Sequence, residues 1–263
     1  MQIIKKIGVF DSGVGGLTVL KSLIEEIGFE HIVYYGDTAR VPYGNKDTQT
    51  IIKFSLEALE FFEKCDIDLL VVACNTASAH ALKAMQAQSK IPVIGVIESG
   101  INALVQKKIP KDSNILVIAT QATVTSGNYE RCLIDMGYNN ITSIATNLFV
   151  SLVEERIFNG NVVNTVFKYY FPAELKPQVI ILGCTHFPLL IDALRNHFGK
   201  ETIFVHSGEA IATFLQQKFN IKPNNANLVE FFASDNTKKL KATAKEWLQE
   251  GSYKIFNINQ TFL

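Results

Sequence analysis

Two short segments carry thiols in matching surroundings: Ala73-Cys74-Asn75-Thr76 and Gly183-Cys184-Thr185-His186. Each cysteine ends an apolar, strand-like run and is followed by hydroxyl, amide or imidazole side chains. In open α/β sheets ligands gather just outside the carboxyl ends of strands, so both thiols are candidates for chemistry. A thiol has an ordinary pKa of about 8.5, near enough to neutrality to give or take a proton. Two thiols facing one another across a cleft suit inversion of a carbon centre. One takes a proton from one face, and the other returns a proton to the opposite face. A thiolate needs a helix N-terminus or a proton acceptor beside it. Asp11 and His186 are the candidates for that role. Zinc does not suit the spacing, since Cys184 and His186 have no second close pair of ligands. A thiol hydrolase using Cys184 and His186 alone would leave Cys74 without a purpose.

A third segment, Asp11-Ser12-Gly13-Val14-Gly15-Gly16, follows a strand pattern and precedes a helical one. Glycines let a ligand approach the backbone, and the helix start offers free N–H groups to an anion. A dinucleotide fingerprint is excluded because its third glycine would fall on Thr18, and no Gly-Lys-Ser/Thr marks a phosphate loop. A substrate with carboxylates would be held by Ser12, Asn75, Thr76, Thr120 and Thr185. A fourth segment, residues 35–44, is polar and holds two tyrosines and Pro42 after a strand-like run, where binding loops gather. Cys65 and Cys132 fall in helical patterns and read as packing. His31, His80, His197 and His206 show no partner in the sequence.

These residues need a scaffold, and the chain supplies one. Short β-branched runs at 7–10, 32–35, 69–73, 93–97, 115–119, 179–182, 203–205 and 229–232 read as buried strands. Helical patterns lie between them. Leu17, Leu20, Leu23, Ile24 and Ile27 keep a helical period and Gly28 stands where a cap belongs. Pro188 opens another helix and Gly199 stops it. Alternation of strand and helix predicts an α/β fold with mainly parallel sheets. Residues 71–76 echo residues 181–186, and residues 7–12 echo residues 116–121 at a matching offset. That echo predicts two similar, pseudo-symmetric lobes, each delivering one cysteine to the cleft between them.

With 263 residues the chain has room for between one and two domains. Hydrophobic residues at 48% exclude disorder. Lys+Arg and Asp+Glu both number 25, so the basic excess of a phosphate-neutralising protein is missing and no nucleic-acid partner is expected. No apolar run reaches the roughly 18 residues of a membrane span. The opening residues reach Asp11 too soon for a secretory core, so no leader is expected. Four cysteines without a CxxC read as reduced thiols in the cytoplasm.

Four blocks together resemble the signature of the bacterial glutamate racemases. They are residues 9–16, residues 36–44 with Pro42-Tyr43-Gly44, Ala73-Cys74-Asn75-Thr76-Ala77-Ser78, and Leu182-Gly183-Cys184-Thr185-His186-Phe187-Pro188. The resemblance implies interconversion of L- and D-glutamate without pyridoxal phosphate or metal, supplying D-glutamate for peptidoglycan. It implies Cys74 and Cys184 as the catalytic pair, Cys74 serving D-glutamate and Cys184 L-glutamate. Asp11-Ser12, Tyr43-Gly44, Asn75-Thr76 and Thr185-His186 match substrate-binding pairs, and Asp11 and His186 match residues that assist the thiols. Glu154 falls where the family carries a further acid, with Glu155 adjacent. The implied lobes are residues 1–97 plus 207–263 and residues 98–206, and the implied assembly is a homodimer. A sister racemase acting on aspartate would share Cys74-Asn75-Thr76. A non-catalytic binder of acidic amino acids built from two closing lobes is the alternative outside enzymes.

Overall fold

Runs such as Ile7-Gly8-Val9-Phe10 and Leu69-Leu70-Val71-Val72 have apolar residues on both faces, which suits strands covered by helices on both sides. The computed structural model, which describes residues 4–219, 221, 228–248 and 254–260, has ten of them. They are β1 (Lys6–Asp11), β2 (His31–Gly36), β3 (Leu69–Val72), β4 (Val93–Gly95), β5 (Ile115–Ala119), β6 (Ile141–Ala145), β7 (Val179–Gly183), β8 (Ile203–His206), β9 (Leu228–Ala233) and β10 (Lys254–Gln260). The helices are α1 (Leu17–Glu26), α2 (Thr48–Phe62), α3 (Asn75–His80), α4 (Leu82–Gln88), α5 (Val96–Gln106), α6 (Gln121–Ser126), α7 (Asn128–Asp135), α8 (Leu148–Glu154), α9 (Asn161–Tyr170), α10 (Ile191–Phe198), α11 (Ser207–Phe219) and α12 (Thr237–Trp247). Parts of the expected leader-free start and of the expected lobe ending at 263 lie outside the described residues.

The strands form two wholly parallel sheets, ordered β10-β9-β2-β1-β3-β4 and β6-β5-β7-β8. Four consecutive strands of the first sheet, β2-β1-β3-β4, have the same order as the whole of the second. The echo in the sequence is therefore an echo in topology. Phe10 pairs with Val72 where Asp11 and Cys74 emerge, and Ala119 pairs with Gly183 where Thr120 and Cys184 emerge. Each sheet is packed on both faces. Ile7, Val9 and Val71 face α1 and α11, while Phe10, Val33 and Val72 face α2. In the second sheet Ile118, Ile180 and Leu182 face α8 and α9, while Val117 and Ile181 face α5 and α7.

Local signals set the helix ends. Gly28, at φ 67°, donates its N–H to Leu23 O at 2.8 Å and ends α1, as its place after Ile27 predicts. Three expectations are corrected. The strand read over 93–97 stops at Gly95, and Val96 and Ile97 begin α5. A continuous apolar run hides that switch, because both elements are buried there. Pro188 opens a 3-10 turn, Phe187–Leu190, that leads into α10. Cys65 lies in the turn after α2, with its Sγ 3.3 Å from Phe61 O. The partners that the sequence could not show for three histidines are present. His31 meets Glu230 at 3.0 Å, His206 meets Glu209 at 3.1 Å, and His80 Nε2 meets Ala122 O at 2.8 Å. Among the described residues no helix is long and apolar enough to cross a membrane.

Candidate active site

The carboxyl ends of β1, β3, β5 and β7 converge where the sheets face each other. A cavity of about 20 Å³ lies there, lined among others by Ser12, Tyr43, Thr76, Cys74 and Cys184. Pro42, Gly44, Asn75, Thr120, Thr185 and His186 also line it. Asp11 is fully buried behind this lining, and Glu154 touches it only through His186. Val41 and Val150 complete the wall; their apolar side chains gave no chemical signal in the sequence.

Cys74 caps α3. Its Sγ accepts the Ala77 N–H at 3.4 Å and lies 3.4 Å from Ser12 Oγ. It is 5% exposed. Burial pushes this thiol up to about 12, and the neighbouring Asp11 charge adds to the rise against the Ser12 and Ala77 hydrogen bonds. Asp11 is itself raised, chiefly by burial, although the His186 charge and the N–H groups of Gly16 and Gly13 oppose that. It accepts from Gly13 N at 2.9 Å and from Thr185 Oγ1 at 3.3 Å.

Cys184 has different company. Its Sγ lies 3.8 Å from His186 Nδ1, and His186 Nε2 lies 2.8 Å from Glu154 Oε1. Burial works against a charged imidazole, but Cys184 and Glu154 outweigh it and lift His186 to about 10. Burial likewise opposes the Glu154 charge, and His186 and Lys239 outweigh it to bring Glu154 down to about 2. Glu155, adjacent in sequence, is exposed beyond the end of α8.

Close approach of the two halves explains two glycines. A Cβ on Gly15 would lie 2.4 Å from Thr185 Oγ1 and 2.5 Å from His186 Nδ1. A Cβ on Gly44 would lie 2.5 Å from Thr120 Cβ. Hydroxyls knit the same seam: Thr76 Oγ1 stands 3.0 Å from Thr120 Oγ1 and 3.1 Å from Thr123 Oγ1. Asn75 is fixed by Tyr129, whose OH donates to its Oδ1 at 2.6 Å, and by Ser207 at 3.2 Å. The Tyr43 loop is anchored on buried Asp37, which accepts from the Tyr43 OH at 2.5 Å and from Arg40 Nε at 2.6 Å. Sequence reasoning singled out the loop but not Asp37. It missed Thr123, Tyr129, Ser207 and Lys239 altogether. Thr123 alone carried a signal, since it lies three residues from Thr120 on one helical face. Among the described residues no group of three or more His, Cys, Asp or Glu stands in a metal-holding cluster.

Two buried thiols stand at matched strand ends, one beside an imidazole and one beside a hydroxyl. The class of protein this fold and site define is a two-lobed α/β racemase. Residues 7–215 match the Asp/Glu/Hydantoin racemase family, and the chain belongs to that family. It is 53% identical over 244 residues to a glutamate racemase of Campylobacter jejuni, covering 92% of this chain and 98% of the relative. The crystal structure of a glutamate racemase from Campylobacter jejuni superposes with a TM-score of 0.90 at 53% identity, over 92% of this chain and 97% of the other. A Francisella tularensis glutamate racemase solved with D-glutamate has a TM-score of 0.84 at 28% identity, over 98% and 97% of the two chains.

Proposed function

We propose that this protein interconverts L- and D-glutamate by proton transfer between Cys74 and Cys184, with neither metal nor organic cofactor. The observation that carries the reading is the pair of buried thiols lining one cavity from matched ends of two like sheets. Glutamate as the substrate is supported by the relatives above, including the one solved with D-glutamate.

In the proposed reaction the Cα–H bond breaks and its proton passes to one Sγ. The electron pair left on Cα spreads onto the α-carboxylate, and the other S–H delivers its proton to the opposite face. Burial keeps Cys74 protonated at neutral pH, so it is the donor at rest. His186, charged beside Cys184, stabilises the thiolate left when this thiol gives up its proton. Ser12, Asn75, Thr76, Thr120 and Thr185 provide the groups for the carboxylates and ammonium, with Pro42, Tyr43 and Gly44 closing the wall. Asp11 and Glu154 assist from behind Cys74 and His186.

A cavity of about 20 Å³ has room for about one water and not for an amino acid. Substrate entry therefore requires the lining to open. We further propose boundaries at residues 1–97 plus 207–263 and 98–206, a homodimer, a cytoplasmic location and a role in supplying D-glutamate to peptidoglycan. Incubation of L-glutamate in D₂O followed by chiral analysis tests the reaction. D-glutamate deuterated at Cα is the expected product, with aspartate converted far more slowly. Unlabelled, uninverted glutamate would leave a binder, and faster turnover of aspartate would shift the substrate.

A further inference from the structure

The Glu154 carboxylate is shared. Its Oε1 meets His186 at 2.8 Å, and its Oε2 meets Lys239 Nζ at 2.5 Å. Lys239 comes from α12, which lies between β9 and β10 of the six-stranded sheet, whereas Glu154 ends α8 against the four-stranded one. A chain of contacts therefore runs from α12 across the seam to Cys184: Lys239, Glu154, His186, thiol.

The backbone aims Lys239 there. Asn236 caps α12, its Oδ1 accepting the Lys239 N–H at 3.1 Å, and Leu240 beside it is fully buried. Trp247 at the other end of α12 packs against the cores of both sheets. The first turn of a helix disfavours a cation, because the helix dipole is positive there. Lys239 faces the Glu154 carboxylate across the seam instead.

We propose that Lys239 is a positioning residue for the Cys184 half of the site: from the first turn of α12 it clamps one oxygen of Glu154, so that the other stays on His186 and fixes that imidazole beside the Cys184 thiol. This rests on the two-thiol reading above. Glu154 has two oxygens and its side chain is partly exposed. Without Lys239 it is free to turn toward water, and His186 loses the contact that orients it. Among the described residues no hydrogen bond or ion pair joins Cys74 to α12, so the chain of contacts from Lys239 ends at the Cys184 thiol.

A second ion pair crosses the same seam and supplies the control. Arg156 meets Glu246 at 2.8 Å, and neither residue touches His186 or a thiol. The test compares Lys239→Met, Lys239→Arg and Glu246→Gln with Cys184→Ala, by steady-state rates and by deuterium uptake from each enantiomer. Lys239→Met is expected to lower kcat about five-fold, the reach of a half-exposed ion pair, with KM unchanged. Its loss of exchange should fall on the enantiomer that Cys184→Ala also fails to exchange. Lys239→Arg should restore the rate, and Glu246→Gln should match the parent protein. Equal slowing of both enantiomers by Lys239→Met, no slowing, or the same loss in Glu246→Gln would overturn the role of Lys239 while leaving the two thiols in place. Racemisation by Cys184→Ala would overturn the two-thiol reading and this proposal with it.

Discussion

The two halves of the site share a backbone plan and differ in chemistry. Strands β1 and β3 deliver Asp11 and Cys74 as β5 and β7 deliver Thr120 and Cys184, in the same strand order. Yet Cys74 sits on a helix N-cap beside a hydroxyl, with a buried carboxylate that raises its pKa. Cys184 sits beside an imidazole held charged by a carboxylate. A repeated fold thus places two thiols alike while the side chains that flank them differ.

Removing either thiol breaks the comparison most completely. Loss of a general acid or base costs on the order of 10²–10⁴ in rate, so Cys74→Ala and Cys184→Ala should each abolish most racemisation. Cys65→Ala and Cys132→Ala should not. Each active-site variant should still exchange the α-proton of the enantiomer facing its remaining thiol, and the pattern should swap between the two. Deuterium uptake from D- and L-glutamate, measured separately, reads this. Full racemisation by either variant would exclude a two-thiol mechanism.

Changing the neighbours of the thiols sharpens the comparison. His186→Asn removes the charged imidazole beside Cys184, and should cost about 10² in kcat. Ser12→Ala removes one hydrogen bond at Cys74, and should cost about ten-fold. The two losses should differ by an order of magnitude in steady-state assays. Equal losses would mean that the two thiols are served alike, against the asymmetry of the structure.

Much of this asymmetry could be read before any coordinates, and the reason is local. Cys74-Asn75-Thr76 and Cys184-Thr185-His186 each lie within a few residues at one strand end, so type and spacing carry the signal. The α/β class followed from strands buried on both faces. Two strands escaped. β6, Ile-Thr-Ser-Ile-Ala, is an edge strand with little apolar contrast, and β10, with polar residues in alternation, is an edge strand of the other sheet. Lys239 was beyond reach for a different reason. Its partner Glu154 lies 85 residues away, and only the folded chain brings them together. Asp37 was inside a loop already singled out, but an acid in a polar loop gives no sign that it will be buried. Glu154 and Glu155 are equivalent in the sequence; the turn of α8 separates them by direction.

The smallest expected effect is on stability. Glu154 is lowered to about 2 from 4.5, as His186 and Lys239 outweigh burial. A carboxyl lowered on folding contributes stability above its unfolded pKa of 4.5 and loses it as pH falls through 2. His186 is raised to about 10 from 6.5, as Cys184 and Glu154 outweigh burial. An imidazole raised on folding contributes fully below 6.5 and loses that contribution as pH rises through 10. Both contributions are therefore complete only between about 4.5 and 6.5. Glu154→Gln removes the first and weakens the second. The difference in urea-unfolding free energy between the parent protein and this variant should peak in that window and shrink on either side. Partial exposure of Glu154 and Lys239 screens the pair, so the peak should be about 1 kcal/mol. A difference that stays flat across the whole range would show that Glu154 is not the partner that holds His186 charged. The distinction between the two thiols would then rest on Cys74 alone.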